Sequence, residues 1–352
     1  MLLVIALAAV IWGVGALGGV PVRMRMALLG LLYLAVLLLQ LVFPPGHPLR
    51  MATGESPAPW LLLGAALALI WLYRRGLVAL RRRARTDALA SSSRPPPESF
   101  TEAELERYAR HIVLRELGGP GQKALKQARV LVVGAGGLGA PALQYLTAAG
   151  VGTIGVIDGD VVDNANLQRQ VIHKDSAIGM PKVFSAEREM LAQNPYVTVR
   201  PYHRPISAVI AGDLLDDYDL VLDGTDNFET RYLVNRAAVA AGIPLVSGAL
   251  SQWEGQISVF DPARGAPCYR CIFPEAPAPG LAPSCAEAGV VGPLPGVVGA
   301  MMAVEAVKII TGAGTPLRGQ MMIYDALYGE TRTIRIARRA QCPVCDGAEP
   351  VS

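Results

Sequence analysis

The chain has 352 residues, of which 52% are hydrophobic and 17% charged, and its formal net charge is +3. This length allows two or three domains, and the hydrophobic content is high for a soluble protein. The charge is unevenly divided, since residues 1–97 hold 10 Lys and Arg against 2 Asp and Glu, whereas the remainder holds 22 against 27, a net charge of −5. The basic excess therefore belongs to the N-terminal segment, and we expect no nucleic-acid partner for the rest of the chain.

Three uncharged apolar runs, near residues 2–20, 26–43 and 58–73, account for the high hydrophobic content. At 1.5 Å per residue the second run covers about 27 Å, close to the hydrocarbon thickness of a bilayer. A signal peptide is the alternative for the first run, but it would have a basic n-region, and this chain begins Met-Leu-Leu-Val-Ile. We therefore predict a membrane anchor over residues 1–75 with about three transmembrane helices. An interfacial helix is the alternative for the third, shorter run.

Arginines predict the orientation of this anchor. Arg23 and Arg25 lie in the first short turn, six more arginines lie between residues 74 and 85, and the loop between the second and third runs holds only Arg50. Because positive residues stay on the cytoplasmic side, three spans with the N-terminus outside fit both clusters. The sequence thus predicts a multi-pass protein of the inner (cytoplasmic) membrane, in contact with membrane lipid, whose soluble domain lies in the cytoplasm.

A basic and Pro/Ser-rich stretch over residues 76–97 follows the apolar segment. It ends in Ser-Ser-Ser-Arg-Pro-Pro-Pro, a composition that resists both helix and core formation. We therefore predict a linker over 76–97 and a soluble domain over 98–348.

The soluble domain opens with a predicted helix over Glu102–Leu114. Thr101 followed three residues later by Glu104 has the pattern of a capping box, which marks the start of a helix. The helix carries Arg110, for which a solvated helix face is the ordinary interpretation.

A glycine-rich turn follows the first predicted strand, Val130–Val133. The turn has GxGxxG spacing, and its glycines are Gly134, Gly136, Gly137 and Gly139. Glycine permits a tight turn and lets backbone N–H groups approach a phosphate closely. A second apolar run, Thr153–Ile157, ends in Asp158, where a carboxylate can accept the hydroxyls of a ribose. Because many folds share this pattern, an ordinary NAD or FAD site is the alternative on these residues alone.

Polar side chains follow the ends of the predicted strands. Asn166 and Arg169 come after the predicted strand Thr153–Ile157, and Lys182 lies near the start of a helix. Asp226 and Asn227 follow another predicted strand, Leu220–Leu222. Strands and helices alternate along this part of the chain, which predicts an α/β fold with a doubly wound, Rossmann-like, mostly parallel sheet. Ligands of such sheets bind at the carboxyl ends of the strands.

The residue types at this edge suit a triphosphate better than a nicotinamide. Arg169 and Lys182 bring fixed positive charge, and the carboxylate of Asp226 is a hard oxygen ligand suited to Mg²⁺. A triphosphate must be neutralised in this way before a nucleophile can attack phosphorus. No acid or base for hydride transfer is evident, so the pattern argues against a dehydrogenase.

All five cysteines lie after residue 267, and four of them form two CxxC pairs. The pairs are Cys268 with Cys271 and Cys342 with Cys345, the composition of a closed tetrahedral Zn²⁺ site. Redox-active pairs and disulfides are the alternatives, but a cytoplasmic location disfavours disulfides. The fifth cysteine, Cys285, belongs to neither pair.

Five segments of the soluble domain together resemble the ubiquitin-activating superfamily, the HesA/MoeB/ThiF family. They are Arg107-Tyr-Ala-Arg110-His, Gly134-Ala-Gly-Gly-Leu-Gly139, Asn166-Leu-Gln-Arg169-Gln, Gly179-Met-Pro-Lys182 and Asp223-Gly-Thr-Asp226-Asn227. Within the superfamily the segments are most similar to the molybdopterin-synthase adenylyltransferases, with the thiamine-pathway adenylyltransferases as near relatives. The resemblance runs from about Phe100 to Asp346, and the N-terminal apolar segment lies outside it.

The resemblance implies an ATP site shared across a homodimer. The ribose is implied to lie on Asp158 and the phosphates near Asn166, Arg169 and Lys182. Asp226 is implied to hold Mg²⁺, with Asn227 beside it, and Arg110 to reach the ATP of the neighbouring subunit. Zinc is implied as a structural staple. A cysteine near Cys285 takes part in sulfur transfer or thioester chemistry in some relatives, and an unreactive loop cysteine is the alternative.

The resemblance implies that the substrate is a ubiquitin-like sulfur carrier that ends in Gly-Gly. The expected carrier is the small subunit of molybdopterin synthase. ATP would adenylate its C-terminal carboxylate, and a separate protein is expected to donate the sulfur. The alternatives are the thiamine-pathway carrier, another ubiquitin-like protein, or modification of a tRNA base. A membrane-tethered scaffold without activity is the non-enzymatic alternative, against which the intact polar residues argue.

Overall fold

The computed structural model describes residues 2–18, 22–54, 56–66, 68–69, 72–73, 75–76, 99–277 and 288–346. The chain divides into two compact units, residues 1–94 and 95–352.

The first unit is helical in its described part. Its helices are α1 (Leu2–Leu17), α2 (Val22–Val42) and the short α3 (Pro48–Thr53), and residues 58–66 are helical as well. Val4, Val36 and Trp60 form a small buried core. A polar contact joins α2 to the end of α3, because Gln40 Nε2 donates to Arg50 O at 3.0 Å.

Among the described residues two helical segments, rather than the three predicted, are long and apolar enough to cross a membrane. They are Met24–Val42, within α2, and Pro293–Thr311, which belongs to the second unit. Helix α1 has 16 residues, or about 24 Å, and falls short of the ~30 Å hydrocarbon core of a bilayer. The predicted third span, residues 58–73, lies partly outside the described residues.

In the described part of the second unit, eight strands form one sheet in the order β3-β2-β1-β4-β5-β6-β7-β8. The strands are β1 (Arg129–Val133), β2 (Thr153–Asp158), β3 (Thr198–His203), β4 (Leu220–Asp223), β5 (Leu245–Leu250), β6 (Glu254–Phe260), β7 (Gln320–Asp325) and β8 (Glu330–Arg335). Strands β1 to β5 are parallel, as the Rossmann-like prediction required.

No sequence pattern predicted the three strands that extend the sheet beyond β5. Strands β6, β7 and β8 add to β5 in antiparallel pairs. The reason is local for the first of these pairs, because three residues separate β5 from β6. A parallel crossover needs a connection of a dozen or more residues, so the chain can only turn back.

The described helices of this unit pack against the sheet, and the last of them contacts β5 and β6. They are α4 (Glu102–Ile112), α5 (Gly118–Gln127), α6 (Gly139–Ala149), α7 (Lys182–Gln193), α8 (Ala208–Leu215), α9 (Phe228–Ala241), α10 (Tyr269–Ile272) and α11 (Pro293–Thr311). The capping box that begins α4 is present, with both Thr101 and Glu104 making its hydrogen bonds. Helix α11 packs into the core at Gly255, where an added Cβ would lie 2.4 Å from Val298 Cγ2.

Candidate functional site

A cleft of about 620 Å³ lies at the carboxyl ends of β1, β2 and β4. Eight of the residues predicted for a nucleotide line it: Gly134, Gly136, Gly137, Asp158, Arg169, Lys182, Asp226 and Asn227. Parallel strands bring their carboxyl ends to one edge of the sheet, so residues far apart in sequence meet there. The cleft joins the glycine-rich turn to a set of charged side chains.

The glycine-rich turn depends on backbone geometry that other residues would disturb. Gly134 has a φ of +91°, in the left-handed region that favours glycine. An added Cβ at Gly139, the first residue of α6, would lie 1.9 Å from Gly134 O. Gly137 has no such clash with backbone, although its Cβ would come 3.1 Å from Pro295 Cβ. The turn therefore places backbone N–H groups and the start of α6 against the cleft.

Asp158 ends β2 and accepts two backbone hydrogen bonds. Its Oδ2 accepts from Ala135 N at 2.8 Å, and its Oδ1 accepts from Asp160 N at 2.8 Å. Each carboxylate oxygen keeps a further lone pair, so the group can still accept from the hydroxyls of a ribose. The two bonds fix the carboxylate beside the glycine-rich turn.

Lys182 begins α7 and has the anionic partner that a cation at a helix N-terminus needs. Its Nζ donates to Asp160 Oδ2 at 2.8 Å. The lysine side chain is 6% exposed, whereas that of Asp160 is 73% exposed. The ammonium group thus lies at the cleft and donates one hydrogen bond to a solvated carboxylate.

Asn166 does not line the cleft itself, but it holds a residue that does. Asn166 ends a single 3₁₀ turn, and its Oδ1 accepts from Arg169 Nη2 at 2.7 Å. The guanidinium keeps further N–H donors for a phosphate. Asn166 therefore orients the guanidinium of Arg169 at the edge of the cleft.

The loop between β4 and α9 carries Asp226 and Asn227, both exposed. Asp223 shapes the start of this loop, because its Oδ1 accepts from Thr225 N at 3.0 Å and from Thr225 Oγ1 at 2.6 Å. Asn227 is the N-cap of α9, and its Oδ1 accepts from Thr230 N at 2.9 Å. Its side-chain oxygen is thus engaged by the helix, while the carboxylate of Asp226 faces solvent at the cleft.

Arg231 also lines the cleft, and the sequence analysis did not identify it. It is 5% exposed and donates to Ser247 Oγ at 3.1 Å, to Gly248 O at 2.8 Å and to Thr225 O. Its Nη1 lies 3.8 Å from Asp223 Oδ2. An arginine one turn into a helix usually signals a solvated face, so only its position under the β4 loop reveals this contact.

Arg110 is exposed on α4 and does not line the cleft of its own chain. Helix α4 is firmly attached to the domain. Lys126 Nζ lies 2.7 Å from Glu104 Oε1 in a buried ion pair, and Asn194 Nδ2 donates to Tyr108 Oη at 2.8 Å. The sequence Gly-Gly-Pro-Gly at residues 118–121 predicts a linker that would let this helix swing away, and that prediction is wrong. These residues are the first turn of α5, which packs against α4.

The four cysteines of the two CxxC pairs meet in one buried cluster. The Sγ atoms all lie within 4.8 Å of one another. Cys268 Sγ lies 3.8 Å from Cys271 Sγ and 3.7 Å from Cys342 Sγ, and Cys271 Sγ lies 3.4 Å from Cys345 Sγ. Sulfurs of a tetrahedral site with Zn–S distances of about 2.3 Å are about 3.8 Å apart. The donor set and its spacing fit Zn²⁺.

The thiols of this cluster differ in acidity without a metal. Burial raises the pKa of Cys268 well above its usual range and raises that of Cys345 to about 11. Burial also acts on Cys342, but hydrogen bonds from the backbone of Val344 and Cys345 outweigh it and lower the pKa of Cys342 to about 7. A cation would favour the thiolate at all four positions. Cys285, the candidate sulfur-transfer thiol, lies outside the described residues.

Comparison with known proteins agrees with this geometry. The model of the ThiF family matches residues 108–344. The chain is 50% identical over 255 residues to the sulfur carrier protein adenylyltransferase of Thermus thermophilus, covering 71% of this chain and 94% of that protein. It is 51% identical over 251 residues to the probable adenylyltransferase/sulfurtransferase MoeZ of Mycobacterium tuberculosis, covering 70% of this chain but only 64% of MoeZ.

The fold also matches a solved structure. The crystal structure of MccB of E. coli has a TM-score of 0.61 with this chain at 22% identity, over 70% of this chain and 74% of MccB. At that identity the likeness concerns the fold alone. The match of the family model over most of the chain and the Thermus relative, which is matched over 94% of its length, decide the assignment. The chain belongs to the ThiF family and is an adenylyltransferase.

Proposed function

We propose that this protein uses ATP to adenylate the C-terminal glycine of a ubiquitin-like sulfur-carrier protein, with the small subunit of molybdopterin synthase as the substrate. The observation that carries the proposal is the convergence of a glycine-rich turn, Arg169, Lys182 and the exposed carboxylate of Asp226 on one cleft. The similarity to the sulfur carrier protein adenylyltransferase of Thermus and to the probable adenylyltransferase/sulfurtransferase of Mycobacterium supports the choice of substrate class.

Each residue has a role in this proposal. Asp158 accepts the ribose hydroxyls, and the N–H groups of the turn Gly134–Gly139 bind the phosphates. Arg169, held by Asn166, and Lys182 neutralise charge on the triphosphate. Asp226 holds Mg²⁺, which, when bound, withdraws charge from the phosphate oxygens.

The chemistry joins the carrier to AMP. A carboxylate oxygen of the carrier's last glycine attacks the α-phosphorus, the bond from that phosphorus to the bridging oxygen of the β-phosphate breaks, and pyrophosphate leaves with the bond's electron pair. A carboxylate is already ionised at neutral pH, so the step needs no general base.

A homodimer with shared sites is part of the proposal. Arg110 is exposed and lies away from the cleft of its own chain, and the attachment of α4 prevents it from swinging inward. A second subunit is therefore the source of an arginine for each cleft. We propose further that Zn²⁺ is held by Cys268, Cys271, Cys342 and Cys345 as a structural staple, and that a separate protein donates sulfur.

The N-terminal unit is proposed to be a membrane anchor, residues 1–75, joined by the linker 76–97 to the adenylyltransferase domain 98–348 in the cytoplasm. The segment Met24–Val42, with a mean hydropathy of 2.1, supports it. Fractionation of cells after a sodium carbonate wash tests this anchor. The chain should remain in the membrane pellet, and a chain starting at residue 95 should be in the supernatant.

Exchange of labelled pyrophosphate into ATP tests the function. The full-length protein in detergent is incubated with purified molybdopterin-pathway and thiamine-pathway carriers, each with and without its last glycine. We expect exchange only with an intact carrier, fastest with the molybdopterin-pathway protein, and none with the Asp226→Ala variant. Faster exchange with the thiamine-pathway carrier would show that this carrier, and not the molybdopterin-pathway protein, is the substrate. No exchange with any carrier would reject the proposed function.

A further inference from the structure

His173 is a buried histidine that none of the proposed roles uses. It is 5% exposed, and both ring nitrogens have partners: Nε2 lies 2.9 Å from Ala135 O and Nδ1 lies 3.0 Å from Ser185 Oγ. Because a carbonyl only accepts, Nε2 carries the proton and Nδ1 accepts from the Ser185 hydroxyl. Burial lowers the pKa of His173, which favours this neutral form at physiological pH.

The residue that His173 contacts lies within the glycine-rich turn. Ala135 is fully buried, and its backbone is held from both sides. Its carbonyl accepts from His173, and its N–H donates to Asp158 Oδ2 at 2.8 Å. The conformation of the turn is therefore set jointly by the proposed ribose carboxylate and by the histidine.

The other partner of His173 lies on the helix that begins with Lys182. Ser185 is fully buried on α7, one turn after Lys182. Lys182 Nζ binds Asp160 Oδ2, and Asp160 N donates to Asp158 Oδ1, each at 2.8 Å. The contacts consequently close a ring: Ala135, Asp158, Asp160, Lys182, Ser185 and His173.

We propose that His173 is a positioning residue for ATP. It joins the glycine-rich turn to helix α7, so that the backbone N–H groups of the turn and the ammonium of Lys182 bind the same triphosphate. The proposal rests on the proposed ATP site. Without the histidine, the turn and α7 would still be joined through Asp158 and Asp160, but that side of the ring is exposed at Asp160, whose side chain is 73% exposed. The buried side of the ring is the one that His173 makes.

A buried histidine with two hydrogen bonds more often serves only the stability of the core. The two roles differ in what a variant changes. A structural role predicts a loss of stability alone, similar to that from any buried hydrogen bond. A positioning role predicts a loss of ATP affinity that a matched core variant does not show.

Ser258 offers the matched core variant. Its hydroxyl donates to Gln320 O at 2.7 Å, it is 1% exposed, and it does not line the cleft. Ser258→Ala and Ser185→Ala therefore make the same chemical change, one away from the ring and one within it. His173→Phe removes both contacts of the ring nitrogens, and His173→Gln returns an N–H donor and an oxygen acceptor.

The experiment measures the Kd of a non-hydrolysable ATP analogue for the full-length protein by calorimetry, together with the Tm of each variant. We expect His173→Phe to weaken binding by about tenfold, Ser185→Ala by about threefold and Ser258→Ala by less than twofold, with His173→Gln recovering most of the loss. Unchanged Kd in both His173→Phe and Ser185→Ala would overturn the inference, as would an equal loss in Ser258→Ala.

Failure of the function itself has a different signature. If the unmodified protein binds the analogue but gives no pyrophosphate exchange with any carrier, the proposed substrate is rejected and the role of His173 in ATP binding is still decided by the Kd series. If the unmodified protein does not bind the analogue, both proposals are rejected. Should His173→Phe not fold, Ser185→Ala and His173→Gln decide the matter.

Discussion

Lys182 and Asp160 form an ion pair whose two ends lie in different surroundings, since the lysine side chain is 6% exposed and the aspartate side chain 73% exposed, with Nζ and Oδ2 2.8 Å apart. Water therefore solvates Asp160 whether or not the lysine is present, so removing the lysine leaves no buried charge without a partner and costs little stability. The buried ammonium instead lies at the cleft, where it can bind a phosphate of the nucleotide.

Lys182→Met should separate activity from stability. We expect the rate constant of pyrophosphate exchange to fall by about 10²–10³-fold, the usual cost of one preorganised donor to developing charge. The free energy of unfolding should change by less than about 1 kcal/mol, because Asp160 stays solvated. Exchange kinetics and urea unfolding measure the two quantities. Exchange within about fivefold of the unmodified protein would remove Lys182 from the catalytic residues.

Mixed dimers test whether Arg110 acts on the partner's ATP. Arg110→Ala subunits and Asp226→Ala subunits should each be inactive alone, because every site lacks one group. If Arg110 acts across the interface, a dimer of one of each has one site with both groups intact. Pyrophosphate exchange of the mixture should then return to roughly a quarter of the unmodified activity, since about half of the dimers formed at random are mixed.

The control for this experiment is verified subunit exchange. Differently tagged subunits are purified in sequence, so that only mixed dimers are assayed, and their activity should approach half. Mixed dimers without activity would show that Arg110 acts within its own chain, because every site would then lack one of the two groups. Such a result would conflict with its exposed position on α4.

Removal of the cysteine cluster should release zinc and lower thermal stability. The unmodified protein is expected to contain about one Zn²⁺ per chain, and Cys268→Ser with Cys342→Ser should contain none. A structural zinc supplies folding free energy directly, so Tm should fall by about 10 °C. The matched control is Cys285→Ser, which changes the cysteine outside the two CxxC pairs and should keep its metal. Metal analysis that finds no zinc in the unmodified protein would refute the site.

Glu104 gives a prediction about pH. Burial acts to raise its pKa, but hydrogen bonds from Lys126 and Thr101 outweigh it, and the pKa of Glu104 lies below its usual value of 4.5. A carboxyl group with a lowered pKa in the folded state stabilises the protein above the unfolded pKa, and this contribution is lost as the pH falls through the folded pKa. This contribution to stability should thus be fully present at pH 7, begin to fall near pH 4.5 and be lost at a lower pH, below the folded pKa.

Glu104→Gln measures that contribution. At pH 7 the variant should lose about 3 kcal/mol of unfolding free energy, because it leaves Lys126 buried without its counter-charge. The difference in unfolding free energy between the variant and the unmodified protein should become smaller as the pH falls below 4.5. Glu106→Gln, an exposed glutamate on the same helix, is the control and should change stability by less than about 0.5 kcal/mol. A difference that stays constant from pH 7 to pH 3 would contradict the ionic account.

Local patterns in the sequence determined much of this protein. The apolar run Val130–Val133, the glycine spacing after it and the capping box at Thr101 each describe neighbouring residues, whose conformation depends mainly on sterics and short hydrogen bonds. The two CxxC pairs likewise predicted four thiols. These features could be read without knowing what packs against them.

Tertiary structure alone decided which distant residues meet. The cysteine pairs are 74 residues apart and join only because the chain returns beside α10 after β8. The antiparallel strands β6 to β8 were not predicted, because a hydrophobic pattern does not state the direction of a strand.

The positions of single polar side chains were decided in the same way. Arg231 has an ordinary place on a helix in sequence, and only packing puts its guanidinium under the β4 loop. His173 carried no signal either, since its two partners lie 38 residues before it and 12 after it. A hydrogen bond depends on distances of a few tenths of an ångström, and only the folded backbone sets those distances.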